Sequence, residues 1–334
     1  MKKIQFTYLS QKDILDVGLT MSQVIGIVHD VFIEHGNKNF ENPPKPGIHP
    51  SEDSFIHAMP GFLPAQQAAG VKWVSGFPDN RKYDLPSIMG LIIINDPLTG
   101  KPLGVMEGGY ITALRTAAVS GVSARFLARP GAKNVAIIGA GVQGRYHLLA
   151  LKEVLPDLCN VSVYDVHTPT LHGFVSHFSK DCELKIKASE DIQGAIKNAD
   201  IVVTATGNLE KPIYKAKWLK KGVLVLPVHM NGWQKDILSE MDLFFVDDWE
   251  QFRTYMKPKK VYEPFLEPDA ELGKIVIKKN PGRRNASQRI INFNLGIALH
   301  DIAIGKKILE QSVKKGKGTQ LTLMDQEYPM SIHT

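Results

Sequence analysis

The chain carries only two cysteines in 334 residues. Neither Cys159 nor Cys182 belongs to a Cys-x-x-Cys or Cys/His grouping, so neither a disulfide framework nor a metal site is expected. No apolar run reaches the roughly 18 residues of a membrane-spanning helix, and the opening MKKIQFTYLSQKD lacks the apolar core of a signal peptide. The expectation is therefore a cytoplasmic protein with no membrane partner. Long charge runs are missing too: the net charge of +6 is spread over short basic clusters at 257–260, 278–284 and 314–317. No recognition-helix, zinc-finger or RNP pattern accompanies them, which argues against a nucleic-acid partner and leaves mild steering of anions. Internal repeats and low-complexity tracts are absent as well.

What is present suits a globular protein, at 43% hydrophobic and 22% charged residues. The length exceeds what a single hydrophobic core usually serves, so two domains are expected.

One stretch carries cofactor chemistry. Asn134 to Ile138 is a short, apolar, β-branched run of the kind that forms a buried parallel strand. Gly139, Gly141 and Gly144 follow at G-x-G-x-x-G spacing, and Tyr146, Leu149, Ala150 and Val154 then recur at helical spacing. A glycine triplet alone is weak evidence, but a strand before it and a helix after it are the context that the dinucleotide fingerprint requires. Gly139 serves the tight turn, Gly141 lets the backbone approach a pyrophosphate, and Gly144 lets helix and strand pack closely. Val142 and Gln143 lie at the helix N-terminus, where free N–H groups favour phosphate. About 20 residues further on, a carboxylate is expected to read the adenosine ribose. VSVYD supplies Asp165, which favours NAD over NADP; its alternative is a turn or helix-cap role. ADIVVTAT then reads as a third strand that brings Thr204, Ala205 and Thr206 to the cofactor edge, although threonines are common at strand ends. GVLVLPV and LFFVDD add further short buried strands, and such alternation implies a doubly wound α/β sheet.

The segment before this unit reads differently. VKWVSGF and the run from Leu91 to Met106 form strands, the latter a hairpin around Asn95-Asp96-Pro97 and Thr99-Gly100. Thr112 to Ala128 is Ala-rich and helical, with Thr112 as a candidate N-cap. A last helix over 295–313 and the strand TQLTL are expected to return to this first domain.

Met59-Pro60, Gly70-Val71-Lys72, Asn80, Thr99-Gly100 and Thr112 to Ala118 form a pattern that resembles the ornithine cyclodeaminase and mu-crystallin family. The variant Gly139 to Gly144 with Gln143, and the late Gly296, Ala298 and Asp301, extend the resemblance over nearly the whole chain. It implies a substrate and dimerisation domain of α+β type at 1–125 and 300–334, with a Rossmann-type dinucleotide domain inserted at 126–299. It also implies a homodimer that uses NAD at the bond between the α-carbon and nitrogen of an amino acid. By the resemblance, Arg115 grips the substrate carboxylate, Lys72 contacts substrate or moves a proton, and Thr116 belongs to the cofactor site. Lys45 lies where many members carry an arginine and is open between an anion contact and a solvated loop residue. Glu107 is expected to hold the following helix.

The pattern departs from the family after GVLVLPV. Many members place an aspartate there, whereas this chain reads HMNGWQKD and offers Met230, Asn231 or Gly232. That leaves His229 and Lys72 as candidate bases and weakens the case for ornithine cyclisation itself. Pairs such as Lys45-Pro46 and Asp247-Asp248 resemble members that oxidise N-linked amino-acid adducts. Ketimine reduction, alanine-dehydrogenase-like oxidation and ligand carriage without chemistry remain open alternatives.

Overall fold

The structure is a computed structural model that describes residues 3–181, 184–207, 209, 211–229 and 231–326. Cys182 and Met230 lie outside the described residues. Contacts divide the chain into two compact units. The first holds the residues up to Leu19, Phe40–Ile111 and those from Asp301 on; the second holds Thr20–Asn39 and Thr112–His300. The expected split gave 1–125 to the first domain, but residues 20–39 and 112–125 pack with the second. The reason is helical: the amphipathic helix within residues 20–39 buries its apolar face against the helices over 272–276 and 142–154, not against the sheet nearest in sequence.

The first unit is built on a seven-stranded sheet. β1 (Ile4–Leu9) and α1 (Gln11–Val17) open it, followed by β2 (Gly47–Ile48), β3 (Phe55–Leu63), β4 (Ala68–Gly76), β5 (Ile88–Asn95) and β6 (Pro102–Glu107). Most of α10 (Ala298–Lys314) and β15 (Thr319–Met324) complete it, in the order β15-β1-β6-β5-β4-β3-β2. The anticipated hairpin is present as β5 and β6, antiparallel with Ile92 opposite Met106. The chain also returns as expected, since β15 pairs with β1. α10 covers one face: Gly305 is packed against Ile92, Ile94 and Met106, and Gly104 makes room for Leu309. On strict alternation the other face carries Trp73, Leu91 and Tyr8, which are 49%, 42% and 38% exposed.

The second unit is an eight-stranded parallel sheet. α2 (Met21–Gly36) and α3 (Gly109–Leu127, whose first turn falls in the first unit) precede β7 (Asn134–Ile138), α4 (Val142–Val154), β8 (Asn160–Tyr164), α5 (Thr168–Asp181), β9 (Lys185–Ala188) and α6 (Ile192–Ile196). Then come β10 (Ile201–Thr204), β11 (Leu224–Pro227), α7 (Ile237–Glu240), β12 (Leu243–Val246), α8 (Trp249–Met256), β13 (Ala270–Glu271), α9 (Leu272–Val276) and β14 (Ile290–Phe293). The strand order β13-β12-β14-β11-β10-β7-β8-β9 reverses direction between β7 and β10. That is the doubly wound, Rossmann-type arrangement expected from the strand and helix alternation, and the reversal marks where such folds bind ligands. The strands β7, β10, β11, β12 and β14 are short and buried on both faces, which explains their apolar runs, whereas β8, β9 and β13 are only partly buried.

α3 begins at Gly109, three residues before the anticipated cap at Thr112. The cap is instead the Glu107 carboxylate, which accepts from the N–H groups of Gly109 and Tyr110, a structural role as expected. Among the described residues no single helix is long and apolar enough to cross a membrane.

Candidate functional site

The turn after β7 is built by its glycines. Gly139 has φ +105°, and a Cβ there would lie 2.4 Å from the Ala205 carbonyl oxygen. A Cβ on Gly144 would lie 2.0 Å from the Gly139 carbonyl oxygen, so only glycine lets α4 close on the strand. Gly141 differs: it sits in extended backbone just before α4, without a side-chain cap, and nothing lies within 4 Å of where its Cβ would be. The open N-terminus of α4 therefore faces free space, with Val142 exposed and Gln143 half-buried beside it. Free N–H groups and the helix dipole make such an end a phosphate cradle.

Asp165 stands at the end of β8. Its two oxygens accept from the N–H groups of Ala140 and His167, each at 2.8 Å. The carboxylate thus fixes the glycine turn to the neighbouring strand end. On the other side of β7, the Ala205 N–H donates to the Ile138 carbonyl at 2.7 Å. Thr206 lies just past β10, and its hydroxyl is 2.9 Å from His229 Nε2 and 3.0 Å from the Tyr214 hydroxyl. Thr204 is different, being fully buried within the sheet.

Burial lowers the His229 pKa to about 4, so its ring is neutral at physiological pH. Asn231 and Gly232, shortly after His229, are held by hydrogen bonds within the unit. Asn231 Nδ2 donates to the Leu209 carbonyl at 2.9 Å. Gly232, at φ +113°, lends its carbonyl to the Ile213 and Tyr214 N–H groups.

Lys72 projects from β4 onto the face covered by α10, where alternation alone left open an outward orientation. It is 0% exposed, and Nζ is 2.9 Å from Asp301 Oδ1 near the start of α10. Sequence reading noted Asp301 without a role, because a pair 229 residues apart leaves no local signal. Lys45 is half-buried two residues before β2, in a loop held by the bond from Ala58 N–H to the Pro46 carbonyl. In the second unit Arg115 and Thr116 are both buried on α3. The Thr116 hydroxyl donates to the Thr112 carbonyl at 2.7 Å, and the Arg115 guanidinium lies against Gly296.

A buried chain missed by sequence reading links α3, α4 and β14. His147 accepts from Ser120 across 3.0 Å and donates to the Gln143 carbonyl at 2.8 Å. Asn294 and Asn292 donate to Ser123 at 3.2 and 2.8 Å. Burial lowers the His147 pKa to about 4, so its ring is neutral, and the Gln143 carbonyl, which can only accept, sets this tautomer. Serines three apart on an Ala-rich helix looked like ordinary small residues, and only the packing gives them partners.

His35, Asp248 and Glu271 bring possible ligand atoms within 4.8 Å of one another. Their oxygens already serve the protein: Asp248 caps α8 through the Gln251 N–H, and Glu271 meets the Trp249 N–H and the Lys38 ammonium.

Comparison with known proteins agrees with this architecture. The model of the ornithine cyclodeaminase/mu-crystallin family matches residues 7–316. The nodulation efficiency protein NfeD of Rhizobium meliloti is 40% identical over 315 residues, covering 93% of this chain and 97% of that protein. N-((2S)-2-amino-2-carboxyethyl)-L-glutamate dehydrogenase of Staphylococcus aureus is 30% identical over 335 residues, covering 96% and 99%. Among solved structures, Δ(1)-pyrroline-2-carboxylate reductase of Thermococcus litoralis, in complex with NADH and L-proline, superposes with a TM-score of 0.86 at 32% identity. It covers 94% of this chain and 99% of the reductase. A parallel sheet with an open glycine turn, an aspartate at the neighbouring strand end and a family match over residues 7–316 lead to one conclusion: the chain belongs to the ornithine cyclodeaminase/mu-crystallin family.

Proposed function

We propose that the protein is an NAD(H)-dependent oxidoreductase acting on the bond between the α-carbon and nitrogen of an amino acid or an N-linked amino-acid adduct. The observation that carries this reading is the β7–α4 turn, where Gly141 leaves the helix end open and Asp165 stands at the neighbouring strand end. The residues present fit a dinucleotide: Gly139, Gly141, Val142, Gln143 and Gly144 for the pyrophosphate, Asp165 for the ribose, and Ala205 and Thr206 along the strand edge. Held by these residues, NAD(H) would supply or accept the hydride at the substrate's α-carbon. The names of the relatives add weight, since a glutamate-adduct dehydrogenase and a cyclic-imine reductase both work at such a bond.

Arg115 holds the substrate carboxylate, for which its planar fork is suited. Lys72, whose ammonium pairs with the Asp301 carboxylate 2.9 Å away, donates the proton that accompanies hydride transfer and takes it back in the reverse direction. Lys45 meets a second anionic group. His229, held neutral by burial, orients the Thr206 hydroxyl instead of acting as the base, because a group near 4 takes up protons poorly at neutral pH. Thr116, bonded to its own helix, shapes the wall beside Arg115.

The same reading includes a homodimer, with the cytoplasm as its compartment. The uncovered sheet face of the first unit is lined by Trp73, Leu91, Tyr8, Val71, Ile93 and Val105, with Trp73 and Leu91 directly opposite in register. A contiguous apolar sheet face of this kind is buried by a second copy of itself. The testing experiment follows absorbance of NADH at neutral pH with a panel of amino acids, cyclic imines, and keto acids with amines. Turnover in either direction is expected; tight NADH binding with no turnover across the panel points instead to a ligand-carrying member.

A further inference from the structure

Gly296, in the loop before α10, is held from two sides by buried side chains. Its N–H donates to Asp247 Oδ2 at 2.7 Å, and its carbonyl accepts from Gln251 Nε2 at 2.7 Å. Asp247 directly follows β12 and is 0% exposed; Gln251, in the first turn of α8, is 2% exposed. The other Asp247 oxygen accepts from the Asp248 N–H at 2.9 Å. The backbone so clamped has φ +78°, and a Cβ on it would lie 2.0 Å from Arg115 Nη1 and 2.8 Å from Cζ. Only glycine leaves room for the guanidinium, and the loop backbone is the wall against which it rests.

We infer that Asp247 and Gln251 are positioning residues: by clamping Gly296 they aim the Arg115 guanidinium at the substrate carboxylate. The inference rests on the carboxylate-binding role of Arg115 proposed above. An arginine head on a long stem loses rotamer entropy when it binds, and a fixed wall removes part of that cost before the substrate arrives.

Burial raises the Asp247 carboxyl to about 6, and the neighbouring Asp248 adds to the rise. The N–H groups of Gly296, Leu295 and Asp248 oppose it. The other charges near this corner are His35, bonded to Asp248 at 3.1 Å, the Lys38–Glu271 pair, and Arg115 across Gly296. At neutral pH Asp247 is an acceptor for all three N–H groups, and in acid a proton enters a carboxyl ringed by donors.

The test uses the full chain with Asp247→Asn and, independently, Gln251→Met, which keeps volume and removes the donor. Calorimetry measures NADH affinity, then affinity of the enzyme–NADH complex for pyruvate, a small carboxylate probe. Both variants are expected to lose about tenfold or more in pyruvate affinity while NADH affinity stays within about twofold. In the wild type, pyruvate binding weakens below about pH 6, and Asp247→Asn lacks that dependence. Pyruvate affinity kept within about twofold in either folded variant, or a parallel loss of NADH affinity, overturns the clamp. Arg115→Ala separates the two levels. Binding that needs Arg115 but ignores both clamp variants sinks the clamp alone, whereas binding that survives Arg115→Ala, or a wild type that binds no pyruvate, sinks the carboxylate role of Arg115 as well.

Discussion

Replacing Asp165 by serine isolates the contribution of one carboxylate to cofactor choice. Each Asp165 oxygen already accepts one backbone N–H at 2.8 Å. A carboxylate oxygen has two lone pairs, so one on each remains for a ribose hydroxyl. A hydrogen bond to a charged group contributes about 1.5–3 kcal/mol, and serine restores at most one neutral bond. The net loss is then roughly 2–4 kcal/mol, or at least about 30-fold in NADH affinity. The 2′-phosphate of NADPH meets the opposite effect, because the like charge that disfavours it disappears, and its affinity is expected to rise by about tenfold. Fluorescence titration of both coenzymes reads the two numbers side by side. Asp165→Asn serves as the control, since it keeps an acceptor for the Ala140 N–H while losing the charge. If Asp165→Ser binds NADH within about threefold of wild type, Asp165 is only a turn residue and the coenzyme reading is wrong.

Four further outcomes are expected. Gly141→Ala meets no atom within 4 Å, so the melting temperature holds while NADH affinity falls by about tenfold; Gly139→Ala, forced at φ +105° against the Ala205 carbonyl, costs about 2 kcal/mol or more in denaturant unfolding. Burial alone would raise the Asp200 carboxyl, but Lys220, the Lys133 and Asn134 N–H groups and Arg129 hold it near about 2. The unfolded chain therefore binds more protons in the window from about 3.8 down to 2, so stability is lost as pH falls through it, and urea titrations of Asp200→Asn show that slope removed. Trp73→Glu, at a position 49% exposed in the single chain, is expected to yield monomers by sedimentation with the far-UV spectrum unchanged. His229→Gln is expected to keep kcat within about tenfold of wild type and to leave the pH profile between 5 and 8 unaltered, since the native ring titrates near 4; a larger loss restores His229 as the base.

The sequence alone determined the parts whose cause is local. The strand, glycine turn and helix at 134–154 follow from β-branched runs, positive-φ demands and helical spacing, and each is met where expected. The hairpin, the last helix and the returning strand were legible for the same reason. Tertiary structure decided what depends on distant partners. Alternation could not say whether Lys72 points inward, because both faces of β4 carry apolar neighbours; α10 and Asp301 settle it. Composition could not assign residues 20–39 to a unit, because an amphipathic helix names no sheet. Nor could it show that Asp247 and Gln251 converge on Gly296. Local conformation is set by each residue's own backbone and its near neighbours, whereas the partner of a buried charge is set by whichever segment the collapsed chain brings within hydrogen-bond reach.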